Sequence, residues 1–400
     1  MNSRLITIVA GTGFLRAYSG TLYLARALQS LGESVSVMVS GTAEEAGEYA
    51  RMDVPVTCLD VPIGSGLVRK WRTLRLRWRV LSALMRARRA IVTEGAFLPE
   101  AALVKRLKGR RFRLANYCQE LQLPDEYPQI PRIKIISRLA RVPDVVVDVE
   151  PGRARVRMEK LGLRQMPLVL RNTIPRDAIP PRGESGMLGR LAGVEIPSGM
   201  PVLLHLGGVG REKPLERVID AVAACREEVF FLAFCNAPQS KVEELTRYAS
   251  ERLSPGGFAV LGPRRRDELL ACAWEADIGV VDYSVSVENT SNQRYCAPTK
   301  LYEFMALGLA ILGSDNEALR EIVEKERIGL CAAGGNPESL GKTLERLVAN
   351  RKELDLMKPR AEEAFRERHC YESLCLPVVE EIKRRFDEPT TQKDADSSSL

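Results

Sequence analysis

Histidine is almost missing from this sequence: His205 and His369 are the two in 400 residues. That scarcity excludes a His-rich metal site and argues against Ser-His-Asp chemistry; both histidines read as structural. Cysteine does not come in pairs. The nine thiols, an odd number with no C-x-x-C spacing, fit a reducing cytosol and not a disulfide framework. No run of eighteen apolar residues occurs, so a membrane-spanning helix is ruled out. The opening MNSRLITIVAGTG has too short an apolar stretch and no cleavage pattern for a secretory signal. What remains has the composition of a soluble globular protein, with 45% apolar and 28% charged residues, and a length that suggests two domains.

The first part of the chain is also short of acid. Residues 1–165 hold 28 Lys and Arg against 15 Asp and Glu, a balance of +13, whereas the rest of the chain stands at −6. Residues 67–113 alone hold 15 basic residues against 2 acidic ones. A one-sided field of this kind concerns partners and not fold, and it points to an anionic surface, nucleic acid or a polyanionic substrate.

Residues 5–10, LITIVA, are a short apolar run closed by Gly11-Thr12-Gly13 and read as a buried strand with its turn. Leu22, Ala25, Leu28 and Leu31 follow at helical spacing up to Gly32, and Ser34–Val39 alternates as a second strand. Further strands are expected at Ala90–Thr93, Arg113–Tyr117 and Val145–Val149. The pattern restarts at Val202–Leu206 with Gly207–Gly210 and a helix from about Pro214 to Cys225, then continues through Val229–Phe234, Phe258–Leu261, Ile278–Val281 and Ala310–Leu312. Two strand, glycine-turn and helix openings predict two doubly wound domains with a ligand crevice at the carboxyl ends of their strands. The proline- and glycine-rich stretch Arg171–Met200 reads as a linker or hinge. Leu374–Phe386 reads as an amphipathic helix able to pack on either domain, and Asp387–Leu400 as a disordered tail.

The first glycine loop does not fit a dinucleotide fingerprint, since Arg16 stands at the third glycine position and no acid follows the second strand. Gly20, just ahead of Thr21, lies where a helix N-terminus could meet an anionic ligand; a turn that merely needs glycine is the equal alternative. The second loop, Gly207–Gly210, precedes Arg211-Glu212-Lys213 at a helix start. Free amides, a helix dipole and two cations suit a diphosphate, and a charged, solvated first turn is the bland alternative.

Residues 297–314, APTKLYEFMALGLAILGS, resemble the donor-site signature of the retaining family 4 glycosyltransferases (glycosyl transferases group 1), in Pro298, Lys300, Glu303, Ala306 and Gly308. The similarity extends over most of the chain. It implies an α/β GT-B fold of two doubly wound Rossmann-like domains facing a central cleft. The implied organisation is an acceptor-side domain over 1–165, a nucleotide-sugar domain over 166–368, a helix over 369–386 crossing back to the first domain, and a tail over 387–400. By the same resemblance, Glu303 would hold the ribose and Lys213 and Arg211 the diphosphate. Gly208, Pro298, Thr299 and Lys300 would border the donor, and Gly13, Gly20, Gln119 and Glu120 would line the facing wall. Glu303 reads as a first-turn residue of a helix opening at about Pro298, where a carboxylate can accept both ribose hydroxyls, and the Ala297–Lys300 amides with Lys300 offer positive potential to the leaving group. Lys213, Glu303, Gln119 and Glu120 are the implied catalytic set. No cofactor or metal is expected, because leaving-group stabilisation is electrostatic and needs few titrating side chains.

Three positions depart from the family pattern: Tyr295 stands where a first glutamate is common, Gly208 where an arginine is common, and Cys118-Gln119-Glu120 where a His-Glu pair is common. These departures keep open a catalytically degenerate GT-B scaffold, and the shared architecture keeps open a sugar-nucleotide 2-epimerase.

Leu67, Trp71, Leu74, Trp78, Leu81 and Met85 form one apolar stripe at helical spacing, with Arg69, Lys70, Arg72, Arg75, Arg77 and Arg79 among the residues on the other faces. A basic amphipathic helix with tryptophans suits an interfacial membrane contact; the alternative is that the stripe is the face this helix buries in its own domain. The expectation is a helix anchored in the core whose cationic face meets anionic lipid. Nucleic acid is disfavoured because no recognition motif accompanies the charge. The sequence thus reads as a cytoplasmic, peripheral-membrane hexosyltransferase. It would use a nucleoside-diphosphate sugar, UDP-linked, and a lipid-linked or polysaccharide acceptor.

Overall fold

The computed structural model describes residues 5–11, 20–40, 54–59, 65–95, 97–210, 214–283, 290–333 and 335–388. The chain divides into two units, one of Met1–Asn172 with Leu374–Leu400 and one of Thr173–Ser373. Each is a parallel sheet with helical crossovers, and the strands are apolar almost throughout because both faces are covered.

In the first unit the strands are β1 (Leu5–Ala10), β2 (Ser34–Ser40), β3 (Val56–Leu59), β4 (Arg89–Thr93), β5 (Arg113–Cys118), β6 (Val145–Asp148) and β7 (Leu168–Val169). Among the described residues they lie in the order β3-β2-β1-β4-β5-β6-β7. The helices are α1 (Gly20–Ser30), α2 (Gly66–Arg86), α3 (Leu98–Lys108), α4 (Pro131–Leu139) and α5 (Pro151–Leu161). The C-terminal helix Leu376–Asp387 also belongs to this unit, where it buries Val379, Ile382 and Phe386. The tail expected to be disordered lies, from residue 389 onward, outside the described residues.

In the second unit β8 (Val202–Gly208), β9 (Phe230–Asn236), β10 (Phe258–Leu261), β11 (Ile278–Val281), β12 (Ala310–Gly313) and β13 (Gly329–Cys331) lie in the order β10-β9-β8-β11-β12-β13. The helices are α6 (Met187–Ala192), α7 (Leu215–Ala224), α8 (Gln239–Ser250), α9 (Arg266–Cys272), α10 (Ser291–Arg294), α11 (Thr299–Ala306), α12 (Glu317–Glu326), α13 (Pro337–Ala349) and α14 (Arg351–Ala364). The strand order reverses beside β1 in one unit and beside β8 in the other. Those are the topological switch points where such sheets bind ligands.

The stretch read as a linker is folded. Within it, the Glu275 carboxylate accepts the backbone amides of Gly186, Met187 and Leu188 at 3.0, 3.0 and 3.2 Å. The cap for α6 comes from 87 or more residues away, which local periodicity does not register.

The apolar stripe of α2 is not its core face. Val80 and Leu84 are its buried residues, with Leu76, Leu81 and Ala83 packed partly beside them against Leu98, Ala101 and Val104 of α3. Leu67, Trp71, Leu74 and Trp78 are 82%, 67%, 66% and 68% exposed. At about 100° per residue the two apolar sets lie on roughly opposite sides of the helix. The outward set thus has no structural duty in the core.

Candidate functional site

In the second unit, polar side chains gather at the carboxyl ends of β8, β11 and β12. β8 ends in Gly207, whose φ is 113°, and Gly208; Arg211 and Lys213 lie outside the described residues. Arg217, in the first turn of α7, forms a buried ion pair with Asp282, Nε to Oδ2 2.9 Å. Burial pushes the Asp282 carboxyl up, while Arg217 and Lys300 pull it down. Lys300 Nζ lies 5.6 Å from the Tyr283 ring centroid. The backbone amide of Tyr283 donates to Ser314 Oγ at 2.8 Å, and Ser314 Oγ donates to Asn316 Oδ1 at 2.5 Å. Asn316 in turn donates to the Gln293 carbonyl at 2.8 Å. This chain of bonds fixes the ends of β11 and β12 beside α11.

Helix α11 carries the signature residues. Pro298 is its N-cap and Thr299 its first residue, while Gly308, at φ 71°, follows the C-cap Leu307 and ends it. Glu303 falls in the second turn and not the first, because the helix opens at Thr299. Gly279 in β11 allows the helix to come close: a Cβ there would lie 2.3 Å from the Phe304 ring. Glu303 is held by Arg266, the first residue of α9, whose Nε and Nη2 donate to Oε1 at 3.0 and 2.5 Å. Sequence reasoning missed Arg217, Asp282 and Arg266; the acid at the end of β11, after IGVV, was the one local sign. Tyr295, at the family's first-glutamate position, is buried behind α10 with the Arg294 guanidinium 5.3 Å from its ring.

The corresponding place in the first unit holds Gln119 and Glu120. Glu94 follows β4 with a φ of 56°, and its Oε1 accepts the amides of Gln119 and, at 3.0 Å, of Glu120. Arg153 donates to the Gln119 carbonyl at 2.6 Å and Arg157 to the Glu120 carbonyl at 2.9 Å, while Arg157 Nε also donates to Asp148 at 2.6 Å. Burial, reinforced by the Glu120 charge, pushes the Glu94 carboxyl up to about 8. The turn is therefore gripped by its backbone, and the Gln119 side chain, 1% exposed, lies buried beside Tyr117. It sits beside Gly20 at the start of α1, where a Cβ would come within 2.7 Å of the Tyr117 hydroxyl and 3.1 Å of Gln119 Nε2. Gly13 lies outside the described residues. On α2, Arg69, Lys70, Arg72, Arg75 and Arg79 are exposed, but Arg77 Nη1 donates to the buried Glu100 at 2.5 Å and is turned toward α3.

Two parallel-sheet Rossmann-like units of this order define a GT-B fold. The structure of HepE from Anabaena in complex with UDP and glucose matches with a TM-score of 0.75 at 14% identity, over 95% of this chain and 99% of that one. A glycosyltransferase from Rickettsia africae matches at 0.74 with 13% identity, covering 97% and 100%. WaaG, a glycosyltransferase involved in lipopolysaccharide biosynthesis, matches at 0.66 with 14% identity, covering 94% and 99%. No curated protein matches the chain. Residues 200–350, within the second unit, match the family model Glycosyl transferases group 1.

Proposed function

We propose that the protein transfers a hexose, with retention of configuration, from UDP to a lipid-linked or polysaccharide acceptor at the inner, anionic face of a membrane. The observation that carries the donor half is the pairing of Lys300 and an anchored Glu303 on one short helix at the switch point of the second sheet. Glu303 accepts the ribose hydroxyls. Lys300, with Arg211 and Lys213 ahead of α7 and the backbone from Gly208 and from Pro298-Thr299, meets the diphosphate in place of a metal ion. UDP is the nucleotide chosen because HepE, of the same fold, has been seen with it.

In the reaction, the bond between the anomeric carbon and the phosphate oxygen breaks as the acceptor oxygen bonds to that carbon on the same face. The acceptor proton passes to the departing phosphate oxygen. Cations around the diphosphate stabilise the charge that develops there, a task that needs no histidine. In the first unit, the Gln119 amide, beside Gly20 at the start of α1, serves a sugar hydroxyl, and Glu120 adds a carboxylate. The acceptor half rests on α2, whose outward tryptophans and arginines suit a lipid headgroup layer.

The test is turnover. UDP-sugars are incubated with the protein and a membrane lipid extract, and released UDP and the sugar product are both followed. Transfer abolished by Glu303→Ala supports the reading. A changed sugar epimer without transfer favours a 2-epimerase, and a protein that neither consumes nor is thermally stabilised by any nucleotide sugar refutes the proposal in favour of a scaffold role.

A further inference from the structure

Three arginines in a row precede and open α9, and the fold uses each differently. Arg264 bonds a neighbouring carbonyl, Pro263 O, at 3.3 Å. Arg265 turns back to Asp267, at 2.6 Å. Arg266 alone of the three reaches across to α11, 37 residues along the chain, and the two bonds it makes to Glu303 converge on the same oxygen. The carboxylate is 14% exposed and the guanidinium 53%, so the pair lies at the rim, with its acid inside and its base outside.

A carboxylate has about four lone-pair directions, two on each oxygen. The guanidinium fills those on Oε1, and Oε2 carries no hydrogen bond among the described residues. We infer that Arg266 is a positioning residue for nucleotide recognition: it clamps Oε1, fixes the rotamer of Glu303 and presents Oε2 to the ribose hydroxyls. This rests on the reading of Glu303 as the ribose acceptor. Without the clamp, a glutamate on a two-turn helix samples several rotamers, and each binding event has to order it again. A lysine in place of Arg266 keeps the charge but loses the planar fork, so it restores only part of the effect.

The experiment compares UDP with 2′-deoxy-UDP by calorimetry, in the whole protein and in Arg266→Gln, Arg266→Lys and Glu303→Gln. The wild type is expected to bind UDP about tenfold more tightly than the deoxy form, the loss of one hydrogen bond to a charged group. Arg266→Gln is expected to weaken UDP by about tenfold while leaving 2′-deoxy-UDP less affected, so the preference narrows, with Arg266→Lys between the two. A merely structural arginine would weaken both ligands alike. An Arg266→Gln protein with the full wild-type affinity and preference overturns the inference, and so does one that binds UDP more tightly, since the arginine would then be an obstruction. A wild type that does not distinguish the two ligands, or a Glu303→Gln variant that keeps the preference, overturns the ribose assignment and the positioning role with it.

Discussion

Replacing Arg75, Arg79 and Arg86 of α2 by glutamine should release the protein from anionic vesicles. The three side chains are exposed, lie along one row beside the outward Trp71, Leu74 and Trp78, and form no ion pair among the described residues. Each cation near an anionic leaflet is worth about 1 kcal/mol, so their removal costs about 3 kcal/mol, or roughly a hundredfold in partitioning at 1.4 kcal/mol per decade. Arg77 is left alone because its partner Glu100 is buried, and unpairing it would destabilise the unit and confound the result. The assay is co-sedimentation with phosphatidylserine-containing vesicles at low and high salt. The wild type should bind and be released by salt, as screened charges require. A companion variant, Trp71→Ser with Trp78→Ser, should bind less at both salt concentrations, because its lost contribution is apolar burial. If both variants co-sediment like the wild type, the membrane reading of α2 is wrong.

Other expectations concern the two sites. Gly279→Ala should place a methyl group against the Phe304 ring and push α11 outward, costing about 1–3 kcal/mol, with partial recovery on adding Phe304→Leu; thermal unfolding of the single and double variants checks it. Gly20→Ala should cost a similar amount through contact with the Tyr117 hydroxyl, and Tyr117→Phe should relieve it. Glu94, pushed up to about 8 by burial and Glu120, is protonated in the fold at pH values where the unfolded chain has lost the proton. Its contribution to stability is present below about pH 4.5 and is lost as pH rises toward 8. Glu94→Gln should flatten that part of the urea-midpoint profile, and an unchanged slope would count against it.

How far the sequence could be read follows from how local each signal is. β11 is an unbroken apolar run, β1 and β8 are interrupted only by Thr7 and His205 before their glycines, and α11 declares itself by the Pro298 start and the Gly308 stop. β3, β7 and β13 are two to four residues long, too short for a period to register. On α2 two apolar sets interleave, Leu67-Trp71-Leu74-Trp78 and Leu76-Val80-Leu84, and spacing alone gives each the same claim to the core. Only packing against α3 decides between them. Arg217–Asp282 and Arg266–Glu303 join residues 65 and 37 apart, brought together by strand order. No window along the chain contains either pair.

The central claim is that the second unit holds a nucleoside diphosphate between α11 and the start of α7. Calorimetric titration of UDP into the wild type and Lys300→Ala tests it most directly. Binding by the wild type that weakens about tenfold or more in the variant is the predicted result, the loss of one charged contact. UDP, GDP, ADP and TDP all failing to bind the wild type, or UDP binding Lys300→Ala with unchanged affinity, would contradict it.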